Sequence, residues 1–395
     1  MAVDVSEVRE WLIDGGRSSP VPGDMISSLC QRLVAAGIPL FRVAFYIRTL
    51  HPDIFGRNFI WKPGEPIHVG TADYSILDTP QFHASPISIV AREGREIRAR
   101  VGDPDSARWP IVEDLRAEGV TDYIALPIKY IDGSAHTTSW TTKQEGGFTD
   151  EQVTALRSII APLSRLVEVV GLRRVATTLL DTYVGNRAGE KILGGQIRRG
   201  HTENMNAAIW LSDLRGFTAL SDRLPSETVV DILNNYFDHQ VSAIKTHGGE
   251  VLKYMGDGLL AVFPIDEYVG DSHEVCARAL EAARETRSGV ESMEYTVGDT
   301  IERFRFGVAL HVGPILYGNI GGGSRLDFTC IGPAVNLAAR LEKLTGKLRR
   351  TIVASEGFAG ICSGGWSDLG EFPIAGFSKA QRVYGLFDEQ AQAAA

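Results

Sequence analysis

A chain of 395 residues is longer than one ordinary core absorbs and fits two domains, each able to bury its own apolar interior. Hydrophobic residues make up 44% and charged residues 23%, as in a globular protein, and no run approaches the ~20 uninterrupted apolar residues that a membrane span needs. A net charge of −9 argues against a nucleic-acid partner, although a local metal site can still hold a nucleoside triphosphate.

The first residues, Met-Ala-Val-Asp-Val-Ser-Glu, carry neither the basic start nor the apolar stretch of a secretory signal, so a cytoplasmic protein without membrane insertion is expected. Cys30, Cys276, Cys330 and Cys362 are scattered and form no CxxC pair, which points to reduced thiols. Residues 1–150 mix short helices with strand-like runs around 41–46 and 123–130, and Asp132-Gly133 after the second run marks a hairpin. His51, His68, His83 and His136 share no ligand spacing and read as ordinary surface histidines. Trp61, Trp109 and Trp140 read as core.

Thr149-Asp150-Glu151-Gln152 has the form of a helix start. Apolar residues then recur at helical spacing from Val153 through Leu163 and Val169 to Leu180 and Tyr183, predicting one long helix or two in series. Such a helix serves either as a terminal core element or as a parallel dimer helix joining the two halves. From Asn206 strands and helices alternate. A strand is expected over 207–211 and a helix capped by Ser226-Glu227 and ended by His247-Gly248-Gly249. Strands over 250–254 and 259–263 flank the turn Met255-Gly256-Asp257-Gly258, and a helix over 271–290 and a strand over 305–311 follow.

The strand ending in Ser212-Asp213 runs into Leu214-Arg215-Gly216-Phe217-Thr218, a glycine-containing turn that opens a helix. A carboxylate there can hold a cation while backbone N–H groups of the turn, Phe217 and Thr218 included, hold phosphate oxygens. Asp257 adds a second carboxylate at a hairpin tip. Two such groups on neighbouring strands suit two magnesium ions about 3.5 to 4 Å apart, one activating a hydroxyl and one stabilising leaving phosphates. Alone, either aspartate reads as a turn residue.

In context the pair reads otherwise. "SDLRGFTALSD", "EVLKYMGDGLLAVF", "FRFGVALHVGPILYGNIG" and "LDFTCIGPAVNLAARLE" follow one another in an order and spacing that resembles the class III adenylate and guanylate cyclases over roughly residues 205–388. The resemblance implies an α+β fold with a ferredoxin-like βαββαβ core in that stretch. It also implies Mg2+ or Mn2+, two per active site, on Asp213 and Asp257. Lys253 and Thr329 match the positions that read the purine, and a lysine donor with a threonine hydroxyl suits adenine. Guanylate cyclases usually have Glu with Cys or Ser there, so ATP is the expected substrate; threonine in place of aspartate resembles the class IIIb branch, some of whose members respond to bicarbonate. Asn336 and Arg340 match the transition-state pair, and behind Pro333 they fall four apart on one helical face.

One position departs from the family. Where these cyclases usually carry a basic residue before glycine to hold the terminal phosphates, this chain has Ala375, which leaves Lys379 or Arg382 to reach in, or triphosphate binding weaker than usual. The resemblance further implies a site shared between two subunits, hence a homodimer. Residues 1–150 resemble a GAF-type sensor open to an unknown small-molecule or protein regulator, and residues 151–204 a helical connector or dimer helix. The expected activity is adenylate cyclase, ATP to 3′,5′-cyclic AMP and pyrophosphate. Guanylate cyclase is opposed by Lys253 and Thr329, and a nucleotide-sensing module without turnover is supported only by Ala375.

Overall fold

The computed structural model describes residues 3–16, 21–266, 270–297, 300–323 and 325–389. The chain divides into two compact units, Met1–Leu179 and Leu180–Ala395.

The first unit opens with helices α1 (Ser6–Ile13) and α2 (Pro22–Ala35), then strands β1 (Arg42–Arg48), β2 (Gly56–Trp61) and β3 (His68–Ala72). Short helices α3 (Pro80–His83) and α4 (Pro86–Glu93), strand β4 (Ile97–Arg100) and helix α5 (Pro110–Ala117) follow, and β5 (Asp122–Lys129) and β6 (Ala135–Thr142) close the sheet. The strand order is β3-β2-β1-β6-β5-β4. The expected hairpin at Asp132-Gly133 joins β5 to β6. Successive side chains of β5 go to opposite faces, as a strand requires: Ile124, Leu126 and Ile128 enter a core with α1, α2 and α6, while Tyr123 and Ala125 enter a second one with α4 and α5. Trp61 and Trp140 are buried in the first core and Trp109 packs on the second, as core tryptophans should.

Helix α6 (Asp150–Val184) is one continuous element of 35 residues that contains Pro162. Its start is a reciprocal cap: Gln152 N donates to Thr149 Oγ1 at 3.2 Å and Thr149 N donates to Gln152 Oε1 at 2.9 Å. The buried Asp122 carboxylate braces the segment before it, accepting from Arg98 at 2.6 Å and from Phe148 N at 3.0 Å.

The second unit continues with α7 (Asn186–Leu193), β7 (Thr202–Leu214), α8 (Phe217–Ser221), α9 (Ser226–Thr246), β8 (Glu250–Met255), β9 (Gly258–Ile265) and α10 (Ser272–Glu291). After the small hairpin β10 (Glu294–Val297) and β11 (Thr300–Arg303) come β12 (Phe306–Gly322), β13 (Arg325–Ile331), α11 (Pro333–Leu348), β14 (Ile352–Ser355), α12 (Glu356–Ile361), β15 (Trp366–Phe372) and β16 (Gln381–Leu386). The main sheet runs β15-β16-β14-β12-β7-β9-β8. Its centre, β7-α9-β8-β9-α10-β12, is the expected βαββαβ core, with every neighbouring pair antiparallel.

Both faces of that centre are covered, which is why β9 is an almost unbroken apolar run. Ala208 and Trp210 of β7 and Leu259, Ala261 and Phe263 of β9 pack toward α9 and α10. Ala207, Ile209, Leu211, Leu260 and Val262 pack the other way, toward α7, β13 and α11. One local expectation fails: Ser226 does not cap α9, because Pro225 occupies the capping position and Ser226 already lies in the first turn.

Among the described residues no helix is long and apolar enough to cross a membrane. The four cysteines are buried free thiols.

Candidate active site

Asp213 sits one residue from the end of β7, where β7 is held between β9 and β12, opposite Gly258 and Gly307. Gly256 and Asp257 make the two-residue turn between Met255 and Gly258, with Gly256 in the left-handed region at φ 69°. Gly258 is needed for close approach, since a Cβ there would lie 3.0 Å from Ser212 O and 3.3 Å from Asp213 Oδ1. The hairpin thus lays Asp257 against Asp213, within hydrogen-bonding reach. Burial first, then the Asp257 charge and then Glu342, push the Asp213 carboxyl up to about 6, while Arg215 opposes them. Arg215 is itself held by Glu342 at 2.8 Å. Two half-buried carboxylates pressed together, with hard oxygen donors only, form a pair that a divalent cation relieves, so the residues present fit magnesium or manganese.

After Asp213 the chain turns through Gly216 at φ 73° into α8. Phe217 packs against the core, Thr218 is exposed, and the amides of both lie in the first helical turn, where no intrahelical acceptor exists.

A second group forms where β13 folds back on β8. Lys253 Nζ of β8 lies 3.1 Å from Asp327 Oδ2 of β13. Thr329, in register with Gly318 on β12, is 4% exposed, and its hydroxyl has no hydrogen-bond partner among the described residues. Asp327 and Thr329, two apart on β13, project from the same face of that strand, so the lysine that Asp327 holds and the orphaned hydroxyl lie on one side of it.

The third group is on α11. Its inner face buries Ala334, Leu337, Ala338, Leu341 and Glu342. Asn336 and Arg340 are exposed on the outer face and border a cleft of about 600 Å³ together with Lys343, Ala375 and Phe377. The helical spacing therefore does what the sequence implied, and Ala375 does face the same cleft. Lys379 and Arg382 do not line it. Arg382 is turned to Glu371 at 2.9 Å and to Asp368 at 3.8 Å across β15 and β16. The cation that replaces them in the cleft is Lys343, missed in the sequence although positions 336, 340 and 343 step along one helical face. A lysine following Glu342 on a helix reads as solvated surface until the neighbouring cleft is seen.

Among the described residues, no hydrogen bond or ion pair links Asp213 or Asp257 to Lys253, Thr329, Asn336 or Arg340. The described residues hold three separate groups: a carboxylate pair, a lysine on Asp327 with the unpartnered Thr329 two positions along the same strand, and a cleft with an amide and two cations.

Residues 201–360 match the family model of the adenylate and guanylate cyclase catalytic domain. An adenylate cyclase of Anabaena cylindrica is 32% identical over 161 residues, covering 40% of this chain and 31% of that protein. Adenylate cyclase 1 of Rhizobium meliloti is 30% identical over 228 residues, covering 57% of this chain and 33% of the relative. The chain thus spans about a third of the length of these two curated relatives. A solved bacterial light-regulated adenylyl cyclase is 28% identical, with 48% of this chain and 93% of that one covered at a TM-score of 0.41.

Proposed function

With residues 201–360 a class III nucleotide cyclase catalytic domain, we propose that the protein is an adenylate cyclase that closes ATP to 3′,5′-cyclic AMP and pyrophosphate in a site shared by two copies of the chain. The observation that carries the choice of ATP is the buried Thr329 hydroxyl, unpartnered among the described residues, two positions along β13 from the Asp327 that holds Lys253. A hydroxyl accepts from the exocyclic amine of adenine, and a lysine donates to a ring nitrogen; guanine offers a carbonyl where adenine has the amine. Lys253 leaves Asp327 to do so, and the exposure of that ion pair makes the exchange inexpensive.

In the reaction the ribose 3′ oxygen bonds to the α-phosphorus, the bond from that phosphorus to the bridging oxygen breaks, pyrophosphate leaves, and the hydroxyl proton is released. Asp213 and Asp257 would hold the divalent cations, which would supply activation of the hydroxyl and charge neutralisation at the phosphates. Asn336 orients the ribose. Arg340 neutralises charge on the phosphoryl oxygens, and the free amides of Phe217 and Thr218 receive phosphate oxygens. Lys343 takes the terminal phosphates in the cleft where Ala375 offers no charge.

Asn336 and Arg340 lie on the outer face of α11, away from the face whose Glu342 holds Arg215 beside Asp213. A second copy that brings its outer α11 face to the aspartates completes the site, and twofold symmetry then makes two of them. The N-terminal unit, a GAF-like sensor in this reading, tunes how the two copies meet.

The deciding assay measures cyclic nucleotide formation by the purified chain from ATP and from GTP, with magnesium and with manganese. Cyclic AMP formation at least tenfold faster than cyclic GMP formation is expected. The reverse preference supports guanylate cyclase, and binding of ATP without any product supports a sensing module.

A further inference from the structure

The N-terminal unit holds a cavity of about 390 Å³ that none of the chemistry above uses. Phe45, Ile47 and Phe59 of the β1–β2 pair form one wall, and Val167, Val170 and Val175 of α6 the opposite one. Its size and apolar lining are those of a small-molecule site.

The polar groups facing it have a sign. Arg48, Arg57 and Arg174 face the cavity against a single carboxylate, Asp132. Arg48 lies over the Phe55 ring, 5.0 Å from its centroid. The half-buried Arg57 forms no hydrogen bond or ion pair among the described residues. Across the sheet Arg57 pairs with Ile47, and the next residue of β6 in register beside Ile47 is His136. Directly paired residues share a face, so Arg57 and His136 project from the same side, two strands or about 10 Å apart at the backbone.

His136 corrects the expectation of a surface histidine, for it is 6% exposed. Its Nδ1 accepts from Arg48 N at 3.1 Å, which leaves the proton of the neutral ring on Nε2, and that N–H has no protein acceptor among the described residues. A nine-tenths buried donor and an unpaired guanidinium on the wall of an apolar cavity select an anion with an apolar body. A cation meets three arginines, and a neutral hydrocarbon leaves both donors unmatched.

We propose that this cavity binds a small amphipathic carboxylic acid, its apolar body between β1, β2 and α6 and its carboxylate on Arg57 beside the His136 N–H. Regulation of cyclase output by such an acid rests on the function proposed above, whereas binding does not and is judged by binding measurements alone.

The test is calorimetric titration of the full chain with decanoate below its micellisation concentration, with decanol and decyltrimethylammonium in parallel. Saturable binding of one decanoate per chain is expected, at least fivefold tighter than decanol. Arg57→Ala weakens decanoate at least fivefold at an unchanged melting temperature, and Arg57→Lys retains most of the affinity. Should Arg57→Ala melt low, Val175→Trp fills the cavity from the helix side and abolishes binding. Absence of saturable decanoate binding, decanol or decyltrimethylammonium binding as tight as decanoate, or decanoate affinity unchanged in Arg57→Ala overturns the proposal.

Discussion

Lys343 and Arg340 are exposed cations on one helix face, and neither forms an ion pair among the described residues. Their mutual repulsion favours an anion between them, and water screens each contact, so the Lys343 contribution is about 1 kcal/mol rather than the figure for a buried pair. Lys343→Ala therefore raises KM for ATP roughly fivefold with a smaller change in kcat, and Lys343→Arg restores it; an unchanged KM assigns the terminal phosphates elsewhere. His136 carries a different prediction. Burial, with Arg48 beside it, lowers its titration from 6.5 to about 4. Between those values the unfolded chain binds a proton that the fold refuses, so stability present above pH 6.5 is lost as pH falls toward 4, by on the order of 3 kcal/mol at most. His136→Asn keeps an acceptor for Arg48 N and removes the titration, so its melting temperature should fall less steeply with pH over that window; parallel curves for the two proteins count against it. The two cases differ in how far the sequence showed them. Asn336 and Arg340 were legible because a four-residue step on a helix means one face whatever surrounds it. His136 was not, because its burial depends on β1, β6 and α6 closing over a strand position that reads as polar.

At the scale of elements, periodicity served well where one partner face decides the pattern and poorly where two do. The apolar spacing after Thr149 gave α6, and the cap between Thr149 and Gln152 is the one those residue types make. It could not say where the core ends. Val153, Leu156, Ile159 and Leu163 are buried, while Val169, Leu172, Leu179 and Tyr183 are exposed although the apolar spacing continues. With Ala176 between them, these later residues step by three and four, the seam of a two-stranded coil. In the homodimer proposed above, a second α6 in parallel presents the same stripe in register and covers this one. Leu172→Glu with Leu179→Glu puts like charges at the centre of that seam. The double variant should raise the dimer dissociation constant at least tenfold by analytical ultracentrifugation and lose specific activity on dilution; a dimer as tight as the wild type would return the stripe to solvent. Strand lengths were underestimated for a related reason. The arm of β12 that carries Gly318 to β13 is half polar and glycine-rich, and only its pairing with β7 and β13 makes it strand.

For the whole molecule the central question is why three groups, each assigned by the proposed function to one part of a nucleotide, share no hydrogen bond or ion pair among the described residues of one chain. Folding has spent structure on them: Gly256 and Gly258 shape the aspartate hairpin, and among the described residues Thr329 is buried without a partner and Arg340 stands unpaired. A site split between two copies accounts for all of this, because each copy then holds half of two sites and neither half needs its complement in cis. That arrangement has a consequence no single-chain site can imitate. Asp213→Ala removes a carboxylate from one half and Arg340→Ala a cation from the other, so each homodimer carries the same lesion in both of its sites and is inactive. In a mixed dimer one site collects both lesions and the other collects none. Each mixed dimer should then turn over at about half the wild-type rate, and random exchange of equal amounts makes about half of the dimers mixed, so activity returns to about a quarter of wild type. The measurement is cyclic AMP formation after incubating the two purified variants together, with mixed dimers counted by a tag on one of them. Activity that rises in proportion to the mixed dimers supports the shared site, and silence in a sample where mixed dimers are counted places all of the machinery within one chain.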